Sequence, residues 1–251
     1  MLRAALLDLG RRCPHSLRMG KPVCVVVGIG PGNGAAFVRR FAKEGFAVAL
    51  LSRTTDLASE VAKGLPDARV YACDVSDEAS IDVAFDRVAR ELGDVSVLVY
   101  NAGSGMWGTV EEISAADFEA SWRVNASGLF LASRKVIPAM KGRGAGNIVV
   151  IGATASRRGG ARAAAFAPAK AAQRSLAESL ARHLGPAGVH VSVVVVDGVI
   201  DTPRARTRMP EQPNTFFLRP DDIADAVFHL TAQPKSAWTF EIEVRPFAEK
   251  W

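Results

Sequence analysis

The sequence predicts an α/β domain: a doubly wound, mostly parallel sheet of seven strands with helices on both faces. Three observations point there. Short apolar runs rich in Val, Ile and Leu recur along the chain, at 23–27, 147–151 and 189–196 among others. Continuous rather than alternating hydrophobicity marks strands buried on both faces. Stretches of helical periodicity separate these runs, as parallel connections require. A glycine-rich turn at 28–34 follows the first run and opens the first helical stretch.

In chain order, further strands are expected at 47–51, 70–73, 95–99 and 240–244. Helices are expected at 35–43, at 56–63 with Asp56 as N-cap, and at 77–92. One long helix covers 115–141, broken near Pro138 because proline lacks the N–H a helix interior needs. Another runs from about 163 to 184, and a short one covers 221–231. No repeat or linker divides the chain, so 21–251 reads as one domain.

The 251 residues are 49% hydrophobic and 23% charged, enough for a full core. Residues 1–20 are Arg-rich and stand apart. They read as a flexible tail or as an extension upstream of a start at Met19, with a mitochondrial-type presequence as the alternative. No apolar run reaches the roughly 18 residues a membrane span needs. The net charge is +5, and its Lys and Arg are scattered apart from clusters at 3–18 and 204–208. Without a basic stripe interleaved with aromatics, nucleic acid is not an expected partner. Cys13, Cys24 and Cys73 show neither CxxC nor metal spacing, so they read as reduced thiols in a cytoplasmic protein with no metal site. His183, His190 and His229 read as structural.

The turn carries Gly28, Gly30, Gly32, Asn33 and Gly34. Glycine there lets backbone N–H groups approach a pyrophosphate, and the following helix N-terminus favours its charge. The spacing Gly-x-x-x-Gly-x-Gly is met by Gly28, Gly32 and Gly34, while Asn33 stands where GxGxxG would need glycine. The second strand ends in Ser52-Arg53 rather than an acidic residue. An acid would bind ribose hydroxyls and repel a 2′-phosphate, whereas Arg can grip one. NADP(H) is therefore the expected cofactor and NAD(H) the alternative. Later, Phe166 and Lys170 fall four residues apart on one helix face, and Ala153 lies thirteen residues before Phe166.

Together these motifs resemble the short-chain dehydrogenase/reductase family over 22 to about 245, which implies a Rossmann-type fold. In that family a Ser stands at the Ala153 position and a Tyr at the Phe166 position, so both reacting hydroxyls are replaced here. Lys170 matches the family's Lys. Asn125, lying 28 residues before Ala153, matches the Asn that links this Lys to a water relay. The resemblance implies cofactor contacts from Asp74 and Val75, from Asn101, Ala102 and Gly103, and from Gly198, Val199 and Thr202, with Lys170 on the ribose. Val27, Asn33, Tyr100 and Asp197 depart from the family's usual residues.

Carbonyl reduction by hydride transfer needs a proton donor at the growing oxyanion. With the Tyr absent, Lys170 or a water it holds is the best remaining source, and Thr154 and Ser156 offer hydroxyls nearby. Tyr71 and Tyr100 sit on earlier strands. The first reading is an NADP-dependent oxidoreductase acting on a small carbonyl or alcohol through a degenerate site. The alternative is a weak or inactive dinucleotide binder with a sensor or assembly role. The resemblance implies that the loop at about 201–218, with Arg204, Arg206, Arg208, Met209, Phe216 and Phe217, faces substrate, with Met106 and Trp107 at the same mouth; the alternative is a mobile, solvated lid. The family commonly pairs through its two long helices, which implies a homodimer or homotetramer.

Overall fold

The computed structural model describes residues 20–248. The N-terminal extension, with Cys13, lies outside them apart from Gly20. Seven strands form one sheet: β1 (Val23–Val27), β2 (Ala47–Ser52), β3 (Ala68–Ala72), β4 (Val95–Tyr100), β5 (Gly146–Ala153), β6 (Val189–Val196) and, after two short strands described below, β9 (Glu241–Val244). Their order is β3-β2-β1-β4-β5-β6-β9, and every pairing is parallel.

Successive strand residues point to opposite faces, and here both faces are apolar. Val25 and Val27 of β1 join a core with Leu129, Val136 and Met140 under α3 (Glu78–Glu91), α5 (Gly128–Arg143) and α6 (Phe166–Leu184). Cys24 and Val26 join Phe37, Phe41, Ile223 and Val227 under α1 (Asn33–Lys43) and α8 (Pro220–Thr231). Cys24 and Cys73 are free and buried, as small core residues. The chain leaves β1 toward β2 and β3, then crosses back to β4. This reversal opens a crevice at the carboxyl ends of β1 and β4, where such sheets hold ligands.

Several local expectations are corrected. Asp56 is the first residue of α2 (Asp56–Ala62) rather than its cap, and Thr55 precedes it without a side-chain cap bond. The long helix does not break at Pro138, which lies inside α5. Burial of Val136 and Met140 beside it holds that helix together despite the lost hydrogen bond. The irregularity comes earlier: α4 (Ala115–Trp122) passes into one π turn, Arg123–Ser127, before α5. The helix expected from 163 begins at Phe166, because Ala163 bridges to Gly108 instead. Pro168 falls in its first turn, where the missing N–H costs nothing. The loop after β6 contains elements that hydropathy did not reveal: β7 (Val199–Ile200), α7 (Pro203–Arg208) and β8 (Phe217–Leu218), the two strands pairing in parallel.

Candidate active site

The glycine turn is built by close backbone approach. Gly28 has φ +93°, and a Cβ there would lie 2.6 Å from Ala102 N. A Cβ on Gly34 would lie 2.5 Å from Gly28 O, so α1 sits directly on the turn. One on Gly32 would meet Thr202 Cγ2 at 2.8 Å, which ties the turn to the loop after β6. A Cβ on Gly30 would have nothing within 4 Å, so that side of the turn is open. Asn101 closes the same end of the sheet: its N–H donates to Val27 O at 2.9 Å and its Nδ2 to Gly28 O at 2.7 Å.

On the β2 side, Ser52 Oγ donates to Thr54 O at 2.7 Å, and Arg53 is exposed beyond it. Asp74 accepts from Ser76 Oγ and Ser76 N, at 2.7 and 2.9 Å. Those bonds, helped by the charge of Arg53, hold its carboxyl below the usual range. Val75 is buried next to it.

A cavity of about 410 Å³ lies where β4, β5, β6 and α6 meet. Of the residues expected at the site, Asn33, Asn101, Gly103, Ala153, Thr154, Phe166, Lys170 and Gly198 line it. Trp107 lies across Phe166, with ring centroids 5.1 Å apart. Lys170 is 5% exposed. Its Nζ donates to Ile151 O and to Gln173 Oε1, both at 2.9 Å, and lies 6.0 Å from the Phe166 ring centre. Burial without a carboxylate partner lowers its pKa from 10.5 to about 7.

Asn125 lies behind this wall in the π turn, fully buried. Its Nδ2 donates to Ser121 O at 2.9 Å, and its backbone carbonyl accepts from Gln173 Nε2 at 2.9 Å. Gln173 therefore spans the gap between Lys170 and Asn125. It belongs to none of the motifs in the sequence. Its signal was the three-residue spacing from Lys170 on an alanine-rich face. Neither tyrosine reaches the cavity: Tyr100 is buried with its hydroxyl donating to Val124 O at 2.6 Å, and Tyr71 donates to Glu91 at 3.0 Å.

Thr154 gives its hydroxyl proton to Asp197 Oδ1. Ser156 Oγ accepts from Ala153 N at 3.1 Å, and Ser156 lines a neighbouring groove with Arg157 and Ala167 rather than the cavity itself. Asp197 also holds Arg245 at 2.6 Å, and a chain of pairs continues through Glu243, Arg157, Glu241 and Arg174. In the loop after β6, Arg206 is committed to Asp201 at 2.7 Å and lies over the Phe217 ring. It does not line the cavity, and Phe217 is buried.

A nicotinamide dinucleotide fits these residues. The tight turn at Gly28 and Gly34 leads into the N-terminus of α1, whose first residue, Asn33, lines the cavity that has Lys170 in its wall. A family model described as short chain dehydrogenase matches residues 22–213.

The chain belongs to the short-chain dehydrogenase family.

It is thus a member of a family of oxidoreductases. A D-threitol dehydrogenase from Mycolicibacterium smegmatis is 30% identical over 227 residues, covering 86% of this chain and 87% of the relative. A metagenomic short-chain oxidoreductase in complex with NADP superposes with a TM-score of 0.79 at 30% identity, covering 92% of this chain and 99% of that one. An alcohol dehydrogenase from the archaeon Thermococcus sibiricus, complexed with 5-hydroxy-NADP, gives 0.81 at 27% identity, covering 91% and 98%. Within this short-chain dehydrogenase, Phe166 and Ala153 leave the cavity wall without a phenol or a serine at those positions. Among the described residues, no group of His, Cys, Asp or Glu is placed to hold a metal ion, and no helix is long and apolar enough to cross a membrane.

Proposed function

We propose that this chain is an NADP(H)-preferring oxidoreductase of a small carbonyl or alcohol, with Lys170 supplying the proton that a phenol would otherwise give. The observation that carries it is the state of Lys170: buried in the cavity wall, bonded to neutral acceptors only, with its pKa lowered to about 7. An ammonium of that acidity is far better placed to release a proton near neutral pH than an ordinary lysine.

The bound dinucleotide supplies or accepts the hydride. The chain does the rest. Gly28, Gly30, Gly32 and Gly34 let the backbone close on the pyrophosphate, and Asn101, Ala102 and Gly103 fix the end of β4 against that turn. Val199 and Thr202 bring the loop after β6 over the crevice. Phe166 and Trp107 keep water from the reacting face. Lys170 gives a proton to the substrate oxygen during reduction and takes one during oxidation. Asn125 and Gln173 orient it.

The preference for NADP(H) rests on Arg53 and Ser52 at the end of β2, and the two NADP-complexed neighbours support it. Substrate as a small alcohol or carbonyl is supported by the D-threitol dehydrogenase. Phe118, Trp122 and Phe130, exposed at 44%, 43% and 49% on α4 and α5, support a homo-oligomer joined through these helices. A cytoplasmic location accords with the buried free thiols.

Calorimetric titration with NADPH and NADH, followed by a carbonyl and alcohol panel, tests the proposal. NADPH binding at least about tenfold tighter than NADH is expected. Turnover that Lys170→Ala reduces by about 10² or more is expected as well. Tight binding with no turnover on any member of the panel favours the non-catalytic reading. In that case Ala153→Ser with Phe166→Tyr is the variant that regains activity.

A further inference from the structure

We infer that Asn33 reads the carboxamide of the nicotinamide ring, its side-chain amide acting as paired donor and acceptor. This rests on the proposed cofactor reading and adds a contact at the reacting end. Asn33 is the first residue of α1 and is 5% exposed. Its Nδ2 and Oδ1 are both buried without a hydrogen-bond partner. An amide in that state has given up water on both atoms and gained nothing in return. Packing alone would be better served by an apolar side chain at this position.

Asn33 also belongs to the wall of the cavity that holds Lys170 and Phe166. Asn101, Thr154 and Lys170 on the same wall already have protein partners. Asn33 brings a donor and an acceptor that are both uncommitted. Side by side, they are the complement of another primary carboxamide.

The placement agrees. Asn33 lies in the first turn of α1, directly after the glycine turn that receives a pyrophosphate. Val196, Gly198 and Ile200 line the same cavity from the β6 side. A nicotinamide riboside attached to that pyrophosphate enters between these walls, beside residue 33. Pairing takes a rotation of the Asn33 side chain about its own bonds, and the unpaired burial favours that rotation. The same amide gives no comparable pairing to a ligand that ends at the ribose.

The test is calorimetry of the full chain and of Asn33→Ile and Asn33→Ala with three nucleotides: NADPH, its 3-acetylpyridine analogue, and 2′-phospho-ADP-ribose. The acetylpyridine analogue keeps the carbonyl but loses the amide N–H. The phospho-ADP-ribose lacks the ring. The wild-type chain is expected to prefer NADPH over the acetylpyridine analogue by roughly five- to tenfold. Both variants are expected to lose that preference while binding 2′-phospho-ADP-ribose within about twofold of wild type. Variants that keep the preference overturn the inference. So do variants that lose 2′-phospho-ADP-ribose as strongly as NADPH, because the residue would then serve the turn and not the ring. A wild-type chain that binds none of the three removes the cofactor reading first, and the Asn33 contact with it.

Discussion

Lys170 has lost its water without gaining a counter-charge, and that sets two pH dependences of opposite kind. In the unfolded chain the amine has its ordinary pKa of 10.5, and in the folded chain about 7. Between these values the unfolded chain holds a proton that the folded chain has released, so stability rises with pH from about 7 to about 10.5. Below about 7 both states are protonated and the full cost is present, of order 5 kcal/mol at most from the shift. Lys170→Met should therefore gain most against wild type below pH 7, with the gain shrinking toward pH 10. Thermal denaturation of both proteins at pH 6 and pH 9 reads this, and a pH-independent difference would contradict the buried-amine reading. The proposed role of Lys170 ties catalysis to the same ionisation. Carbonyl reduction needs the ammonium and should decline as pH rises through about 7, whereas alcohol oxidation should rise there. That Phe166, Lys170 and Ala153 line one cavity was legible, because sequence spacing places them at the end of β5 and on one face of α6. Gln173 was not, since an amide on an alanine-rich helix resembles a surface residue until α6 is docked on Asn125. The commitment of Thr154 to Asp197 was equally hidden, because the partners lie 43 residues apart.

Among the elements, the strands were legible because a parallel sheet buries both faces and leaves unbroken Val, Ile and Leu runs. The turn was legible because backbone contact demands glycine. Gly34→Ala should cost about 1–3 kcal/mol, since its Cβ would lie 2.5 Å from a backbone oxygen, and it should weaken nucleotide binding with it. Gly30→Ala should leave the stability nearly unchanged, because nothing lies within 4 Å of its Cβ. Urea denaturation of the two variants separates them, and equal destabilisation would refute this account of the turn. The π turn at Arg123–Ser127 left no mark in the hydropathy pattern, which runs through it as one helix. What makes it is tertiary: Tyr100 donates to Val124 O, and Gln173 to Asn125 O. At the other edge, Glu241 holds both Arg157 and Arg174 with its side chain 12% exposed. Glu241→Ala leaves the part-buried Arg174 guanidinium without this partner and Arg157 with Glu243 alone, and should destabilise by about 1–2 kcal/mol, measured as a lower urea midpoint.

For the molecule as a whole, the strand order places the crevice, and the crevice joins two groups of residues distant in sequence. Gly28 and Gly34 come from the turn after the first strand, Thr154, Lys170 and Gly198 from the second half of the chain. The seven-stranded class and the helices on both faces were legible from alternation alone, but the small elements at Val199–Ile200, Pro203–Arg208 and Phe217–Leu218 were too short to leave a period. A ligand that binds only the folded chain stabilises it by about 2.7 kcal/mol at 100 times its Kd. For a domain of this size NADPH at that excess should raise Tm by roughly 5–10 °C, and NADH at equal concentration by clearly less. The most direct measurement is NADPH consumption near pH 6.5 by wild type and Lys170→Met over a panel of small ketones and aldehydes. Lys170 as the proton source predicts turnover of at least one compound by wild type and a loss of about 10²-fold or more in the variant. Wild-type rates in Lys170→Met, or NADPH bound but never consumed, would contradict it.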